Sequence, residues 1–215
     1  MSLTDSKPAL LLIDIQKGLE DEAYYGGNRN NPRAEANARR ILEQWRALRL
    51  PVFHIQHSSP NPESPLHQSN PGFTIKEAVK PLPEEPVLVK QVNSAFIGTD
   101  LKERLDRAGI KTLVIVGLTT NHCVSTTARM AGNYGYETIL ISDATATFDR
   151  VGIHGEKYDA ETIHLTSLAS LNDEFAKVVD TEDLLDIIAY EESKHEPVYD
   201  FEKTIDEILK ERQGS

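Results

Sequence analysis

The sequence predicts a three-layer α/β/α fold around a mainly parallel, six-stranded sheet. One observation is that several short segments are apolar on both faces, which is typical of strands buried on both sides of a parallel sheet. Another is that helical patterns lie between these segments, as right-handed βαβ crossovers require. The apolar segments are Ala9–Ile15, Pro51–Ile55, Val87–Val89, Thr112–Gly117, Thr138–Ser142 and, more weakly, Phe175–Val179.

Four helices are predicted between the strands. The first ends before Pro51 and has an apolar stripe formed by Ala38, Ile41, Leu42, Trp45 and Leu48. The second opens at Asp100, where Glu103 completes the pattern of a capping box, and ends at Gly109. The other two are predicted over residues 123–134 and 158–171.

The length of 215 residues suits one domain with a sizeable core. We expect residues 1–189 to form this domain and residues 190–215 to form a charged helical extension. Apolar residues of the extension recur at helical spacing, which predicts packing on the domain itself or, as the second alternative, on a partner subunit. They are Val198, Phe201, Ile205, Ile208 and Leu209.

Residues 57–86 hold seven of the eleven prolines and show no clear hydrophobic period. We therefore predict a long ordered loop in this part of the chain. A loop of this length inside a compact domain is usually functional, for example as a lid over a binding site.

The composition is that of a soluble globular protein, with 39% hydrophobic and 27% charged residues. The net charge of −11 argues against binding to nucleic-acid phosphates or anionic membranes. The single cysteine excludes an internal disulfide and fits a reducing compartment. No segment has the pattern of a signal peptide or the length of a membrane span. We expect a cytoplasmic protein that acts on a small molecule.

Three reactive side chains follow three different predicted strands. Asp14 ends the first apolar run, Lys90 ends the third, and Cys123 follows the fourth at the start of a helix. Ligands bind outside the carboxyl ends of the strands in open parallel sheets, so we expect the three side chains to converge there. Each residue alone has a common structural alternative: a turn-capping Asp, a solvated Lys or a small buried Cys.

The surroundings of Cys123 favour a nucleophile. It ends the segment GLTTNHC (residues 117–123), a predicted strand-to-helix turn. The free N–H groups at a helix N-terminus stabilise both a thiolate and a developing oxyanion. We expect the Lys90 ammonium to lower the pKa of the thiol further, and Asp14 to take its proton and pass it to a leaving amine.

Four segments resemble the isochorismatase-like superfamily of cysteine hydrolases, which includes nicotinamidases, N-carbamoylsarcosine amidase and ureidoacrylate amidohydrolase. They are LLIDIQ, VLVKQVNSAFIGTDL, VIVGLTTNHCVSTTARMA and LISDATATF. Their order and spacing are those of the family, and the resemblance runs from about residue 8 to residue 185. The stretches SPLHQSNPGF and SAFIGTDL point to the nicotinamidase-related branch that includes streptothricin-hydrolase-like proteins.

The resemblance implies an isochorismatase-like, Rossmann-like fold and a catalytic triad of Asp14, Lys90 and Cys123. It implies a thioester intermediate at the cysteine, which water hydrolyses. It also implies a cis peptide bond between Leu118 and Thr119 and an oxyanion hole formed by the backbone N–H groups of Thr119 and Cys123. Family members are commonly dimers or tetramers, so a homo-oligomer is expected.

Two departures narrow the expected chemistry. True isochorismatases lack the cysteine and cleave a vinyl ether, so Cys123 argues against that reaction. Nicotinamidases bind a metal through an Asp-x-His motif and a further His, whereas the stretch here lacks the motif's Asp and offers His54, His57 and His67. His54 and His57 point to opposite faces of a strand, so we predict no metal and no other cofactor.

Three residues are expected to line the substrate pocket beside the triad. Gln16 follows Asp14 closely, and Phe96 lies just beyond Lys90. His122 adjoins the nucleophile, with a solvent-facing position as its equal alternative.

We predict a hydrolase that cleaves an amide, carbamoyl or ureido C–N bond of a small molecule through a thioester at Cys123. One alternative is a catalytically silent binding protein on the same fold. Another is a redox-responsive thiol protein, although no second cysteine exists to form a reversible intramolecular disulfide.

Overall fold

A computed structural model describes residues 7–194 of the chain. Six strands form one sheet in the order β3-β2-β1-β4-β5-β8, and two further strands form a separate antiparallel hairpin. Every neighbouring pair in the six-stranded sheet is parallel. The strands are β1 (Ala9–Ile13), β2 (Val52–His57), β3 (Val87–Lys90), β4 (Thr112–Leu118), β5 (Glu137–Ala146), β6 (Arg150–Val151), β7 (Lys157–Tyr158) and β8 (Lys177–Val179).

The six-stranded parallel sheet confirms the predicted fold class. The predicted strands lie where the apolar runs placed them, with ends shifted by up to four residues. Among the described strands, only those of the β6–β7 hairpin were not predicted, because two-residue strands carry no periodic pattern. The helices Glu22–Tyr25 and Thr181–Lys194 were not predicted either.

Helices cover both faces of the sheet, as predicted. The central strand β1 divides its side chains between two hydrophobic clusters, with Leu10 and Leu12 on one side and Leu11 and Ile13 on the other. The described helices are α1 (Glu22–Tyr25), α2 (Ala34–Ala47), α3 (Leu101–Arg107), α4 (Ser125–Asn133), α5 (Ala160–Leu171) and α6 (Thr181–Lys194). Helices α2 and α6 contribute to the first cluster, and α3, α4 and α5 contribute to the second.

Two helix starts differ from the prediction. Asp100 does not cap α3 with its side chain; its Oδ1 accepts from Nε of Arg104 at 2.8 Å, so the guanidinium takes the carboxylate away from the helix N–H groups. Helix α4 begins at Ser125, and the preceding residues Thr120–Val124 form a wider π-helical turn. Cys123 therefore lies in this turn and not in the regular helix.

The loop over residues 57–86 is ordered, as predicted, and contains single helical turns at Pro71–Phe73 and Glu77–Val79. The buried side chain of Gln16 joins this loop to the sheet. Its Nε2 donates to the carbonyls of His57 at 3.0 Å and Phe73 at 2.8 Å, and its Oε1 accepts from the N–H of His57 at 2.8 Å.

Helix α6 continues across residue 189, where the sequence predicted the end of the domain. The apolar residues predicted to line the extension, from Val198 to Leu209, lie outside the described residues. Within residues 7–194, no helix is long and apolar enough to cross a membrane.

Candidate active site

The predicted triad lies at the carboxyl edge of the sheet. Asp14 directly follows β1, Lys90 is the last residue of β3, and Cys123 lies in the turn after β4. Asp14 has a φ of 51°, a left-handed conformation that Asp tolerates better than most residues. His57 ends β2 and pairs in register with Lys90, so a fourth reactive side chain reaches the same edge.

Asp14 and Lys90 form a buried ion pair. Nζ of Lys90 lies 2.6 Å from Oδ2 of Asp14, and their side chains are 0% and 2% exposed. The same Nζ lies 3.3 Å from Nδ1 of His57. Burial, reinforced by the Lys90 charge, lowers the pKa of His57, so His57 is neutral at pH 7 and its Nδ1 accepts from the ammonium.

The second carboxylate oxygen of Asp14 is free to accept a proton. Oδ1 is buried and has no hydrogen-bond partner. One carboxylate oxygen of Asp14, one ring nitrogen of His57 and Sγ of Cys123 all lie within 4.8 Å of one another. Sγ also lies 3.7 Å from Oδ1 of Asn93. The geometry therefore places a base, a cation and a thiol around one point.

Lys90 lowers the pKa of the Cys123 thiol, as expected, but the net effect of the surroundings is to raise it. Burial raises the pKa of Cys123, the charge of Asp14 raises it further, and the charge of Lys90 opposes both effects only in part. Lys90 is paired with Asp14, so its field is largely cancelled at the sulfur. Cys123 is a neutral thiol at pH 7, and a nucleophilic thiolate forms only if a base takes the proton.

The turn before Cys123 depends on the close approach of β4 to β1. The Leu118–Thr119 peptide bond is cis. Gly117 has a φ of 125°, and a Cβ there would collide with the carbonyl oxygen of Ile13. The pairing of β4 with β5 shifts register between Ile115 and Gly117. Only glycine allows this backbone path, which delivers Thr119 and the π-helical turn to the sheet edge.

A small cavity opens onto Asp14 and Cys123. Its volume is about 150 Å³, which corresponds to about five water molecules. Its polar wall consists of Asp14, Cys123, His57, Asn93, Thr119, His122 and Arg150. Its apolar wall consists of Leu19, Leu66 and Leu118, and Tyr25 adds an aromatic ring with a buried hydroxyl. Wider surface grooves, such as one lined by Gly132 and Phe175, lie away from these reactive groups.

Of the three residues predicted to line the pocket, the cavity includes His122 and excludes the other two. Gln16 uses its whole carboxamide to hold the loop over residues 57–86, as described above. Phe96 is 7% exposed and packs on Tyr134 and Tyr136, at ring-centroid distances of 5.4 Å and 6.0 Å. Both predictions were wrong. They relied on closeness in sequence to Asp14 or Lys90, and this closeness does not determine the direction in which a side chain points.

His57, Asn93 and Arg150 were missed by the sequence analysis. His57 ends a strand at the same edge as Lys90, so the strand-end rule applied to β2 would have found it. Asn93 and Arg150 lie in connecting segments, where no periodic signal predicts a side-chain direction.

The histidines of the nicotinamidase-like stretch do not converge on a metal site. Nε2 of His54 lies 2.8 Å from Oε2 of Glu85, and Nδ1 of the exposed His67 lies 2.7 Å from Oγ of Ser69. Of these three histidines, only His57 lines the cavity. Oδ2 of Asp14 and Nδ1 of His57 both face the Lys90 ammonium, so these two atoms are arranged around a lysine.

His164, outside the cavity, is a structural histidine. Its Nδ1 lies 2.9 Å from Oγ1 of Thr120 and its Nε2 lies 3.4 Å from Nδ2 of Asn31. Burial lowers its pKa. It ties α5 to the π-helical turn and supports the position of Cys123 indirectly.

The family model of the isochorismatase domain matches residues 8–183. The chain belongs to the isochorismatase family. A solved relative supports the same fold: a protein of the isochorismatase family from Chromobacterium violaceum superposes with a TM-score of 0.83 at 40% identity, covering 88% of this chain and 97% of that one.

Curated members of the isochorismatase family include proteins with and without named activities. An uncharacterised family protein of Bacillus subtilis, YrdC, is 51% identical over 84% of this chain and 96% of its own length. Nicotinamidase 3 of Arabidopsis thaliana is 30% identical over 82% of this chain and 86% of its own. Streptothricin hydrolase of Streptomyces noursei is 32% identical over 66% of this chain and 50% of its own. The predicted resemblance is confirmed at the level of the family.

Proposed function

We propose that this isochorismatase-family hydrolase cleaves the C–N bond of a small amide, carbamoyl or ureido compound by nucleophilic catalysis at Cys123. The observation that carries the proposal is that Asp14 and Cys123 face one small cavity, with Lys90 paired to the Asp14 carboxylate. The names of relatives such as nicotinamidase 3 agree with this reaction class.

The first half of the reaction forms a thioester. Asp14 takes the proton from the Cys123 thiol, and the thiolate attacks the carbonyl carbon of the substrate. The backbone N–H groups of Thr119 and Cys123 donate to the oxyanion of the tetrahedral intermediate, where one such donor is typically worth about 10²–10³ in rate. The C–N bond then breaks, and the leaving nitrogen takes the proton from Asp14.

The second half of the reaction hydrolyses the thioester and releases the acyl group as an acid. Asp14 takes a proton from a water molecule, whose oxygen attacks the thioester carbon. The C–S bond breaks, and the sulfur recovers the proton from Asp14. Lys90 holds the carboxylate in place through both halves, and its charge lowers the cost of the thiolate once Asp14 is protonated.

The raised pKa of the resting thiol supports this order of events. A thiolate that existed before substrate binding would need no base, whereas the neutral thiol of Cys123 needs one within reach. The unpartnered Oδ1 of Asp14 supplies an acceptor that no other group of the described chain uses.

The test is a screen of nicotinamide, ureido, carbamoyl and cyclic amide compounds for release of ammonia or amine. Cys123→Ala is expected to lower turnover of any substrate about 10⁴-fold or more without loss of fold. Ser125→Ala is the matched control, because Ser125 lies two residues further on and its Oγ only accepts from Arg129. Near wild-type turnover by Cys123→Ala would show that the proposed mechanism is wrong.

Mass spectrometry separates the alternatives. After rapid quenching with a substrate, a hydrolase shows Cys123 carrying the mass of the acyl group. A redox-responsive thiol shows only oxygen additions after peroxide treatment, and a silent binding protein shows neither. The expected homo-oligomer and cytoplasmic location stay predictions.

A further inference from the structure

Tyr25 lies in the wall of the same cavity as Cys123. It ends helix α1, and its ring stacks on the buried Phe148, with the ring centroids 5.2 Å apart. The ring of Tyr24 meets it edge-on, at a centroid distance of 4.9 Å. Packing therefore holds the ring of Tyr25 in place, and its hydroxyl takes no part in this.

The hydroxyl of Tyr25 is buried and has no hydrogen-bond partner among the described residues. Oγ of the nearby Ser64 accepts from the N–H of Leu66 at 3.2 Å and is not bonded to the phenol. Burial raises the pKa of Tyr25, Tyr24 raises it further, and Ser64 opposes both effects only in part. The phenol is therefore neutral at pH 7 and keeps a proton to donate.

Two other aromatic residues show how this protein treats a buried aromatic N–H or O–H that serves the fold. The hydroxyl of Tyr136 donates to Oδ1 of Asp106 at 3.0 Å, and Nε1 of Trp45 donates to the carbonyl of Pro8 at 3.0 Å. Both have a partner within the chain, and the hydroxyl of Tyr25 has none. Buried polar groups that no protein atom satisfies are commonly bonded to a water molecule.

Asp14 presents a second unpartnered atom at the same cavity. Its Oδ2 is paired with Lys90, whereas its buried Oδ1 has no partner among the described residues. The charge of Asp14 acts on the phenol and contributes to the raised pKa of Tyr25, so the two groups are near neighbours. The cavity of about 150 Å³ has room for only about five water molecules. One water molecule between the two groups would satisfy both.

The place beside Oδ1 of Asp14 is also where the second half of the reaction needs its water. In the reaction proposed above, the leaving nitrogen takes its proton from Asp14, so the amine departs from this place. The water that follows must give a proton to the same oxygen and face the thioester carbon at Cys123. A second hydrogen bond would fix its direction, and the phenol of Tyr25 offers one.

We propose, resting on the hydrolysis at Cys123 proposed above, that Tyr25 holds the water molecule that hydrolyses the thioester. The phenol donates to the water oxygen, and Oδ1 of Asp14 accepts one of the water's hydrogens. As this proton passes to Asp14, the water oxygen bonds to the thioester carbon; the C–S bond then breaks, and the sulfur recovers the proton from Asp14. Tyr25 acts in this half alone, because the attack of the thiol on the substrate uses no water.

The test uses p-nitrophenyl acetate, which transfers an acetyl group to a nucleophilic thiol and needs no knowledge of the natural substrate. Stopped-flow release of p-nitrophenolate measures acylation of Cys123, and rapid-quench mass spectrometry measures the decay of acetyl-Cys123. Tyr25→Phe keeps the ring and removes the hydroxyl. It is expected to slow the decay about tenfold or more and to leave the acylation rate within about twofold of wild type.

Hydroxylamine supplies a readout that a merely structural role of Tyr25 would not change. It is a stronger nucleophile than water and needs no ordered site, so it should cleave acetyl-Cys123 at similar rates in wild type and in Tyr25→Phe. The ratio of cleavage by hydroxylamine to cleavage by water should therefore rise about tenfold in the variant. An unchanged ratio would overturn the proposal.

Tyr24→Phe is the matched control, because it makes the same chemical change at the neighbouring residue, which is 49% exposed and does not line the cavity. Both of its rates should stay within about twofold of wild type. Equal losses of acylation and decay in Tyr25→Phe would show that Tyr25 supports Asp14 or Cys123 themselves. Unchanged rates would show that the hydroxyl holds no reacting water. Either result overturns the proposal.

A crystal structure of the wild-type protein tests the water site without any variant. A water oxygen is expected within about 3.2 Å of both Oη of Tyr25 and Oδ1 of Asp14. A phenol that is bonded to Ser64 instead, with no water between Tyr25 and Asp14, would overturn the proposal.

The two proposals fail separately. Absence of acetyl-Cys123 in the wild-type protein after exposure to p-nitrophenyl acetate would refute nucleophilic catalysis at Cys123. Formation of acetyl-Cys123, with a decay that Tyr25→Phe leaves unchanged, would refute the role of Tyr25 alone.

Discussion

Nζ of Lys90 and Oδ2 of Asp14 lie 2.6 Å apart, and neither side chain is more than 2% exposed. The two residues come from β3 and from the end of β1, which are not neighbours in the sheet. Taking both charges out of water costs several kcal/mol per ion before their attraction is counted. Each charge therefore depends on the other for its burial, and the pair holds Asp14 beside Cys123.

We expect Lys90→Met to lower the free energy of unfolding by about 3–5 kcal/mol, because it leaves the Asp14 carboxylate buried without a counter-charge. Adding Asp14→Asn should recover much of this loss without restoring hydrolysis. Urea unfolding at pH 7 measures both effects. Lys102→Met is the matched control, since Lys102 also pairs with a carboxylate, Asp106, at 2.6 Å, but is 38% exposed and should lose little stability. A loss of under about 1 kcal/mol for Lys90→Met would contradict this account.

Asp14→Asn should lower the rate of hydrolysis and raise the rate at which Cys123 is alkylated. Hydrolysis should fall about 10⁴-fold, because no base remains for the thiol. Labelling of Cys123 by iodoacetamide near pH 8 should become faster, because the Asp14 charge raises the thiol pKa and its removal leaves Lys90 to stabilise the thiolate. The labelling rate is followed by intact-protein mass spectrometry. Slower labelling in Asp14→Asn would show that the electrostatic account of the thiol is wrong.

The raised pKa of Cys123 also sets a pH dependence for the wild-type protein. An unfolded thiol ionises near pH 8.5, whereas the raised pKa of the half-buried thiol keeps it protonated there in the folded protein. Above pH 8.5 the unfolded state binds fewer protons than the folded state, so the free energy of unfolding should fall as pH rises. Urea titrations between pH 7.5 and about pH 10 should show a steeper loss for wild type than for Cys123→Ala. Parallel curves would contradict the burial effect.

The Glu35 carboxylate should stabilise the folded protein at neutral pH but not at pH 2. Burial alone would raise its pKa, but hydrogen bonds and charges from Arg29 and Lys76 lower it to about 2. A carboxyl whose pKa is lowered on folding loses its stabilising effect as pH falls from its ordinary value of 4.5 to about 2. Glu35→Gln should therefore lower stability by about 2–3 kcal/mol at pH 7 and by little at pH 2. An equal loss at both pH values would show that packing, and not ionisation, is responsible.

Gly117→Ala should be among the most damaging single substitutions. The added Cβ would collide with the backbone of Ile13, so β4 and β1 would have to separate at the turn that carries Thr119. We expect a loss of about 4 kcal/mol or more. Gly135→Ala is the matched control, because Gly135 also has a positive φ, 81°, but faces open space and should lose only about 1–2 kcal/mol. Thermal unfolding compares the two, and equal losses would contradict the steric explanation.

The sequence correctly predicted that Asp14, Lys90 and Cys123 lie at one edge of the sheet, because the edge at which a strand ends follows from the sheet topology. Runs such as Ala9–Ile13 are buried on both faces, and the residue that follows such a run leaves the sheet at its carboxyl end. His57 obeys the same rule at the end of β2, but its contact with Lys90 depends on strand register, which no local pattern specifies.

The sequence by itself determined the fold class, the order of the six main strands along the chain, and the placement of Asp14, Lys90 and Cys123 at the carboxyl edge of the sheet, because these depend on hydrophobic patterns a few residues long. The tertiary structure decided the chemistry of those residues. Burial together with the Asp14 charge keeps Cys123 a neutral thiol, and a two-stranded hairpin carries Arg150 into the cavity. Both effects act through space between segments far apart in the chain, so local sequence patterns do not predict them.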